Sequence, residues 1–481
     1  MCSFAPVVDV AGVPGEIAGA HGTRGSPRTT RNTENMKRRL LSFAIPLALG
    51  FALAGSPACG EDLMQIYREA QQNDPAIAAA KAQWLATQER LPQALAGMLP
   101  SVSLSGSANL STYDATIKSD PAVDVSRNYG QYGATVSASQ PLYRMQNKIA
   151  IDQSREVLTQ AEYVLGTARQ DLILRVAIAY FDVLLAQFNI EVTEAQKTAV
   201  SEQLAQAKRN FEVGVATITD TNEAQAKYDQ IVATEISARN DYDNKLTALR
   251  AIIGRFPKEL KKVGFELSPK APEPNALDYW VERALKDNFS VRIAQANFDI
   301  ATLEVDRARA GHLPTLDLVG SLGVQGSNGS VNTGVSSDSR QALIGLQLAM
   351  PIYAGGAIES RVREAVALKE KTRQDLETTR RFALFNAQTG YSGVNSAVAS
   401  VKAFEQALVS AQTAYASNKL GQEVGVRTNL DVLTTQQLVF STRRDLAQAY
   451  FNYLTGQLRL KSAVGDLSET DLEEINRQLR G

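Results

Sequence analysis

The chain has 481 residues, 44% of them hydrophobic, with 50 Lys and Arg against 51 Asp and Glu for a net charge of −1. That is enough for roughly three ordinary domains, and so even a balance excludes both a nucleic-acid-binding protein and a disordered tail. Two Cys and two His in the whole chain leave little material for a metal cluster or a thiol site, so neither a metal nor a cofactor is expected.

The first element is an address. Lys37, Arg38 and Arg39 follow Met36, a mostly apolar stretch runs from Leu40 to Gly55, and Ala58-Cys59-Gly60 supplies small residues ahead of Glu61. This order predicts a secretory signal peptide cleaved near Gly60, with residues 1–35 as an extension ahead of the start at Met36. The apolar run falls short of the 20 or so residues a membrane-spanning helix needs. A competing reading makes Cys59 the acylated residue of a lipoprotein signal, although Ser56 stands where such a signal prefers Leu. Without residues 1–60 the chain loses six basic and three acidic residues and both cysteines, which leaves a net charge of −4 and His312 as its one histidine.

The rest is duplicated. Glu212-Val-Gly-Val-Ala-Thr-Ile-Thr-Asp220 aligns without a gap on Glu423-Val-Gly-Val-Arg-Thr-Asn-Leu-Asp431, identical at six of nine positions. Leu99-Pro100 returns as Leu313-Pro314 and Pro141-Leu-Tyr143 as Pro351-Ile-Tyr353. Matches at such similar offsets predict two structural repeats, 61–256 and 275–465, joined by a Lys/Pro-rich linker, 257–274, and followed by a C-terminal segment, 466–481.

Each repeat opens with a helical segment, 62–97 and 276–311, and then changes period from 3.6 to 2. Val102, Leu104, Ala108 and Leu110 alternate with serines, and Tyr132, Ala134, Val136 and Ala138 with Gly, Thr and Ser. In the second repeat Leu316, Leu318, Leu322 and Val324 share one face, as do Ile344, Leu346, Leu348 and Met350. Segments of about 10 residues with one apolar and one small or polar face fit strands that cross an outer membrane, in hairpins spanning 100–142 and 314–352. Polar loops are expected at 112–128 and 327–340, and Tyr143 and Tyr353 are expected to close the second strand of each hairpin at the membrane interface. A soluble β-sandwich edge would alternate in the same way. In lipid, however, four strands cannot leave their edges unpaired, so the chain is expected to form a homotrimer with a 12-stranded barrel.

From Arg144 to Glu212 there is no Pro, and Ile151, Leu158, Leu165, Leu172, Ala179 and Ala186 recur every seven residues. That predicts one helix roughly 100 Å long. A second long run, 355–420, mirrors it, and 218–254 and 428–464 return from the two Val-Gly-Val turns, making helical hairpins of 144–254 and 355–464. A coiled-coil rod or adaptor protein would show the same period, but it needs no strands at its end.

Asp62-Leu-Met-Gln-Ile-Tyr67, Gly311-His-Leu-Pro-Thr-Leu-Asp-Leu318, Leu348-Ala-Met-Pro-Ile-Tyr-Ala-Gly-Gly356, the two Val-Gly-Val turns, Asp431-Val-Leu433 and Tyr450-Phe-Asn-Tyr-Leu454 together resemble the TolC family of outer-membrane channel proteins over 61–475. The resemblance implies a mostly α fold: a trimeric transmembrane β-barrel continued by an α-helical periplasmic barrel, with an equatorial region built from the linker and C-terminal segment. It implies a passive exit duct for drugs or proteins, partnered by a periplasmic adaptor and an inner-membrane RND or ABC transporter, and no catalysis.

It also implies a periplasmic end that opens like an iris, locked by Thr219 and Asp220 on the first hairpin and Gln422 and Arg427 on the second. Asp431 would form an acidic aperture ring able to bind cations, and the turns at Gly214, Val215, Gly425 and Val426 would meet the adaptor. The family pattern has Tyr where this chain has Gln422 and a second Asp where it has Thr434, so a different lock and a weaker block by multivalent cations are expected. Without the resemblance, Asp431 reads as a helix N-terminal acid, Arg427 and Asp220 as solvated charges, and His312 as a residue that caps or packs at a helix-to-strand junction.

Overall fold

The computed structural model describes residues 60–261, 268–330 and 334–479. The expected signal segment and Cys59 lie outside the described residues, as does part of the linker.

The first helical segment is three helices rather than one, α1 (Leu63–Asn73), α2 (Pro75–Gln88) and α3 (Arg90–Ala96). The break was written locally: Asp74 accepts hydrogen bonds from the backbone N–H groups of Ala76 and Ile77, and Pro75 has no N–H to continue α1. After β1 (Ser101–Ile117) and β2 (Val123–Tyr143) comes α4 (Met145–Glu212), 68 unbroken residues, and then α5 (Ile218–Ile253).

The second repeat follows the same plan with α6 (Leu277–Asp287), α7 (Phe289–Arg309), a 3-10 turn (Ala310–His312), β3 (Thr315–Ser327), β4 (Ser337–Ala349), α8 (Ala357–Glu423) and α9 (Asn429–Ala463). Asn288 takes the place of Asp74 and caps α7 through Ser290 and Val291. The C-terminal segment holds α10 (Glu469–Leu479).

The strands form one antiparallel sheet in the order β1-β2-β3-β4, with β1 and β4 at its edges. They are longer than expected. Ser111 to Ile117 and Val123 to Tyr129 pair in register, so the first hairpin turns within 118–122, and in the second the pairing runs to Ser327 and Ser337. Gly, Ser and Asp weaken strand propensity, but register-matched cross-strand bonding outweighs it. Tyr143 does end β2, whereas Tyr353 falls beyond β4 in an exposed connection to α8. Pro351 lacks the N–H a further ladder bond would use.

Each strand leads into or out of a helix, and the helices keep the strands' lateral order: contacts run α3 to α4, α4 to α7 and α7 to α8. Further from the sheet the order is α5, α4, α9, α8. The main core lies where α1, α4, α5, α9 and α10 meet, around Leu63, Ile66, Leu172, Tyr180, Phe181, Leu249, Leu454 and Leu472. Arg255 grips Glu61 and Glu69, while Lys461 pairs with Asp471 and so fastens α10 to α9.

Sheet and helices are joined by Arg144, whose Nε and Nη2 donate to the two carboxylate oxygens of buried Asp317 at 2.8 and 2.6 Å. A planar fork on a carboxylate is directional as well as strong. Asp317→Asn should cost about 2 kcal/mol, seen as an earlier thermal loss of helical circular dichroism in detergent, and Arg144→Lys should restore only part of the loss made by Arg144→Gln.

Candidate gate and channel surfaces

The register sorts the sheet into two faces. Leu104, Val136, Leu322 and Ala342 stand in one row across the four strands, and Val102, Ala138, Gly320 and Ile344 in the next. On the other face the rows are Ser105, Thr135, Gly323, Gln341 and Ser103, Ser137, Ser321, Leu343. Leu104 and Ile344 are 75% and 81% exposed in the single chain. A continuous apolar face with no protein against it, backed by a face of serines, is the pattern of a sheet between lipid and water.

In the helical layer a groove of about 910 Å³ is walled by α4, α8 and α9. Its lining sets Asp182, Asn386, Asp445, Asn452 and Arg459 among Leu174, Ile178, Phe404 and small residues, so polar and apolar surface alternate along it.

At the end remote from the sheet, the two hairpins turn in the same way. The N–H of Val215 donates to the carbonyl of Asn210 at 2.9 Å and that of Val426 to Gly421 at 2.8 Å, while Gly214 and Gly425 both take φ of +79°. This closing of a helix end needs a left-handed residue, which is why Gly stands at both turns. Val213, Val215, Val424 and Val426 are exposed, as are Phe211, Ile218, Leu420 and Leu430 beside them.

Asp220 and Asp431 hold equivalent places three residues after the caps of α5 and α9. The hydroxyl and backbone N–H of Thr217 donate to Asp220 Oδ2 at 2.7 and 2.9 Å, and those of Thr428 to Asp431 Oδ2 at 2.9 and 3.0 Å. In each carboxylate the cap uses one oxygen. The Thr428 backbone N–H, its hydroxyl and the Arg427 charge hold the Asp431 carboxyl below the usual Asp range. The Thr-x-x-Asp pattern of both caps was readable in the sequence and escaped notice there.

Among the described residues no ion pair joins Arg427 to Asp220 within the chain, and Thr219 is exposed. Gln422 Nε2 donates to Asn429 Oδ1 at 3.3 Å, inside its own hairpin. His312 sits in the 3-10 turn with Nε2 3.7 Å from Glu359 Oε1.

The two hairpins are braced unequally. Three ion pairs cross between α4 and α5: Asp182 with Lys245, Glu194 with Arg239 and Lys197 with Glu235, at 2.9, 2.6 and 2.7 Å. Among the described residues none crosses between α8 and α9. Hydrogen bonds from Lys197 and Arg239 hold the Glu235 carboxyl below its ordinary range, so this brace persists above the usual Glu pKa and weakens only as pH falls through the depressed value.

An open amphipathic sheet continued by helical hairpins whose longer arms, α4 and α8, reach about 100 Å and which end in matching turns defines a membrane channel protein that reaches far beyond its membrane. The outer membrane efflux protein family model matches residues 66–255 and 280–466, and the chain belongs to that family. It is 31% identical over 444 residues to the outer membrane protein TolC of Vibrio cholerae, covering 92% of this chain and 99% of that protein. It is also 32% identical over 449 residues to the alkaline protease secretion protein AprF of Pseudomonas aeruginosa, covering 91% of each. The crystal structure of the outer membrane protein VceC from Vibrio cholerae superposes with a TM-score of 0.70 over 84% of this chain and 96% of that one, at 20% identity. The protein is therefore an outer-membrane channel of Gram-negative type, made of two tandem repeats.

Proposed function

We propose that three copies of this chain close into one duct, which carries drugs or secreted proteins passively from an inner-membrane ABC or RND transporter through periplasm and outer membrane. The observation that carries the trimer is the shared order of the two layers. The free edges β1 and β4 belong to the same flanks as α3 and α8, so the neighbour that pairs β4 with β1 also sets α8 beside α3 and α5. Exposed Phe382, Phe385 and Val409 on α8, and Leu85, Leu95 and Ile236 on α2, α3 and α5, give those flanks apolar surface to bury. Three copies of a four-stranded sheet make 12 strands, wide enough for an aqueous channel.

The apolar rows of the sheet meet lipid, and the groove walled by α4, α8 and α9, with Asp182, Asp445 and Arg459 in it, is tunnel wall. The exposed Val-Gly-Val turns receive the helical hairpin of a periplasmic adaptor. Asp431 Oδ1, unused by the cap, faces the aperture and binds cations there, while Asp220 Oδ1 takes Arg427 of the neighbouring chain, beside Thr219 and Gln422. Nothing in this reading calls for catalysis or a cofactor.

The test is the mass of the detergent-extracted protein by light scattering, joined to single-channel recording in planar bilayers. A protein mass of three chains and a small, steady conductance are expected. A monomer without conductance would sink the duct and return the chain to the class of structural or adaptor coiled-coil proteins.

A further inference from the structure

The contacts that hold the second hairpin against the first lie above the tips. Nearest the main core, the rings of Phe181 and Phe451 meet with centroids 5.7 Å apart. Further down, Arg444 Nη1 donates to Gln196 Oε1 at 3.4 Å and Lys227 Nζ to Gln437 Oε1 at 3.1 Å. Between the Gln196–Arg444 bond and the tip, and level with the Lys227–Gln437 bond, is a small core separate from the main one, made of Val200, Leu204 and Ala207 from α4, Ala224 and Ile231 from α5, and Leu433. Leu433 is the second hairpin's one member of that core and is 2% exposed. It follows the capped Asp431 by two residues, so any swing of the start of α9 must draw it out.

We propose that Leu433 is the latch of the periplasmic end: a single apolar knob from α9, seated in the first hairpin of its own chain, keeps the second hairpin in the closed position. This rests on the duct reading given above and adds to it a residue, a contact within one chain and a cause for the asymmetry of motion. The first hairpin, braced by three ion pairs, is the fixed socket. The second has no such ion pair among the described residues and moves as the knob leaves. Apolar contact suits a latch because it is not directional: it resists small displacements, is lost over a few ångströms, and reforms without exact realignment. The Gln196–Arg444 and Lys227–Gln437 bonds exchange for water at little cost when the knob withdraws.

Two readouts test it on the full-length protein with Cys2 and Cys59 changed to Ser. Ala224, fully buried in the socket, is changed to Cys, and the reaction of this socket thiol with a maleimide is timed. Leu433→Ala should speed labelling at least tenfold, with Leu433→Met close to the parent. In planar bilayers Leu433→Ala should conduct several times more than the parent. A short bis-maleimide tether between Lys227→Cys and Gln437→Cys should return that variant to the parent's conductance. If Leu433→Ala assembles normally and leaves the socket thiol as protected as before, the latch is overturned. Should Leu433→Ala fail to assemble, Leu433→Val takes its place, with a smaller rise in both readouts required. If the socket thiol becomes reactive but no variant or parent conducts, the latch stands and the duct reading fails.

Discussion

Asp431→Ala is expected to abolish block of the channel by a trivalent cation, while Asp220→Ala, which frees Arg427 of the neighbouring chain, raises the resting conductance and keeps the block. The pair of variants is informative because both carboxylates do the same structural work, each accepting from the hydroxyl and N–H of its capping threonine. Losing either cap frees the first turn of a helix, so thermal stability should fall by similar amounts in the two variants. If block disappears in both, fraying of the tip rather than the charge of Asp431 governs the aperture.

The pH dependence gives a further check. The Asp431 carboxyl is held below the ordinary Asp range by Thr428 and Arg427. Its charge, and the stability its cap contributes, are therefore present above the unfolded value near pH 4 and are lost only as pH falls through the lower folded one. In the ring of three chains the like charges of the Asp431 carboxylates act the other way, so block should follow the titration of that ring. Recording it from neutral pH downward measures this, and a block with the same pH dependence in Asp431→Asn would mean that Asp431 is not the cation's ligand.

Gly465→Ala should be among the most damaging single-methyl changes in the chain, and Gly254→Ala a mild one, although the two glycines occupy equivalent helix ends. Both take left-handed φ, +79° and +85°, where an L side chain costs about 1 kcal/mol. They differ in what a methyl would meet. At Gly254 the nearest atom is Asn73 Cβ at 3.9 Å, an ordinary contact. At Gly465 a methyl would run into the backbone carbonyl oxygen of Asp287, with the carbonyl carbon at 2.9 Å. Backbone at the joint of α6 and α7 cannot rotate away as a side chain would, so roughly 3 kcal/mol or more is expected in addition. Thermal unfolding in detergent and the yield of assembled protein measure both. Equal effects would mean that the α6–α7 joint shifts freely.

How much of this was legible beforehand varies with the range of the interactions involved. The Val-Gly-Val turns were plain because a helix end in left-handed conformation needs glycine locally, whatever the turn packs against. Apolar and polar faces were readable in β1 to β4 because the period of two is a property of the strand itself. The break at Asp74-Pro75 was equally local, a cap followed by a residue without N–H, and the longer 3.6 period around it hid it. Strand ends were not legible: residues 112–117 and 123–128 look like loop by composition and are strand because each finds its partner across the ladder. Tyr353, expected at a strand end, lies beyond one for the same reason, since β4 ends at Ala349, opposite the first residue of β3, Thr315. Arg144 and Asp317 stand 173 residues apart, and no spacing in the chain points from one to the other.

The gate divides along the same line. Asp431 stood out as a charge beside a turn, and its cap lies within three residues of it. Leu433, two residues on, is one leucine among several in the helical run 428–464. Its burial among side chains of α4 and α5 depends on how one hairpin leans against another that is distant in sequence. The sequence by itself thus determined the duplication, the period of every element, the turns and the caps, because those follow from sterics and hydrogen bonds between near neighbours. Only the tertiary structure decided strand register, the Arg144–Asp317 clamp and the seat of Leu433, because each depends on side chains that meet only once the repeats have packed together.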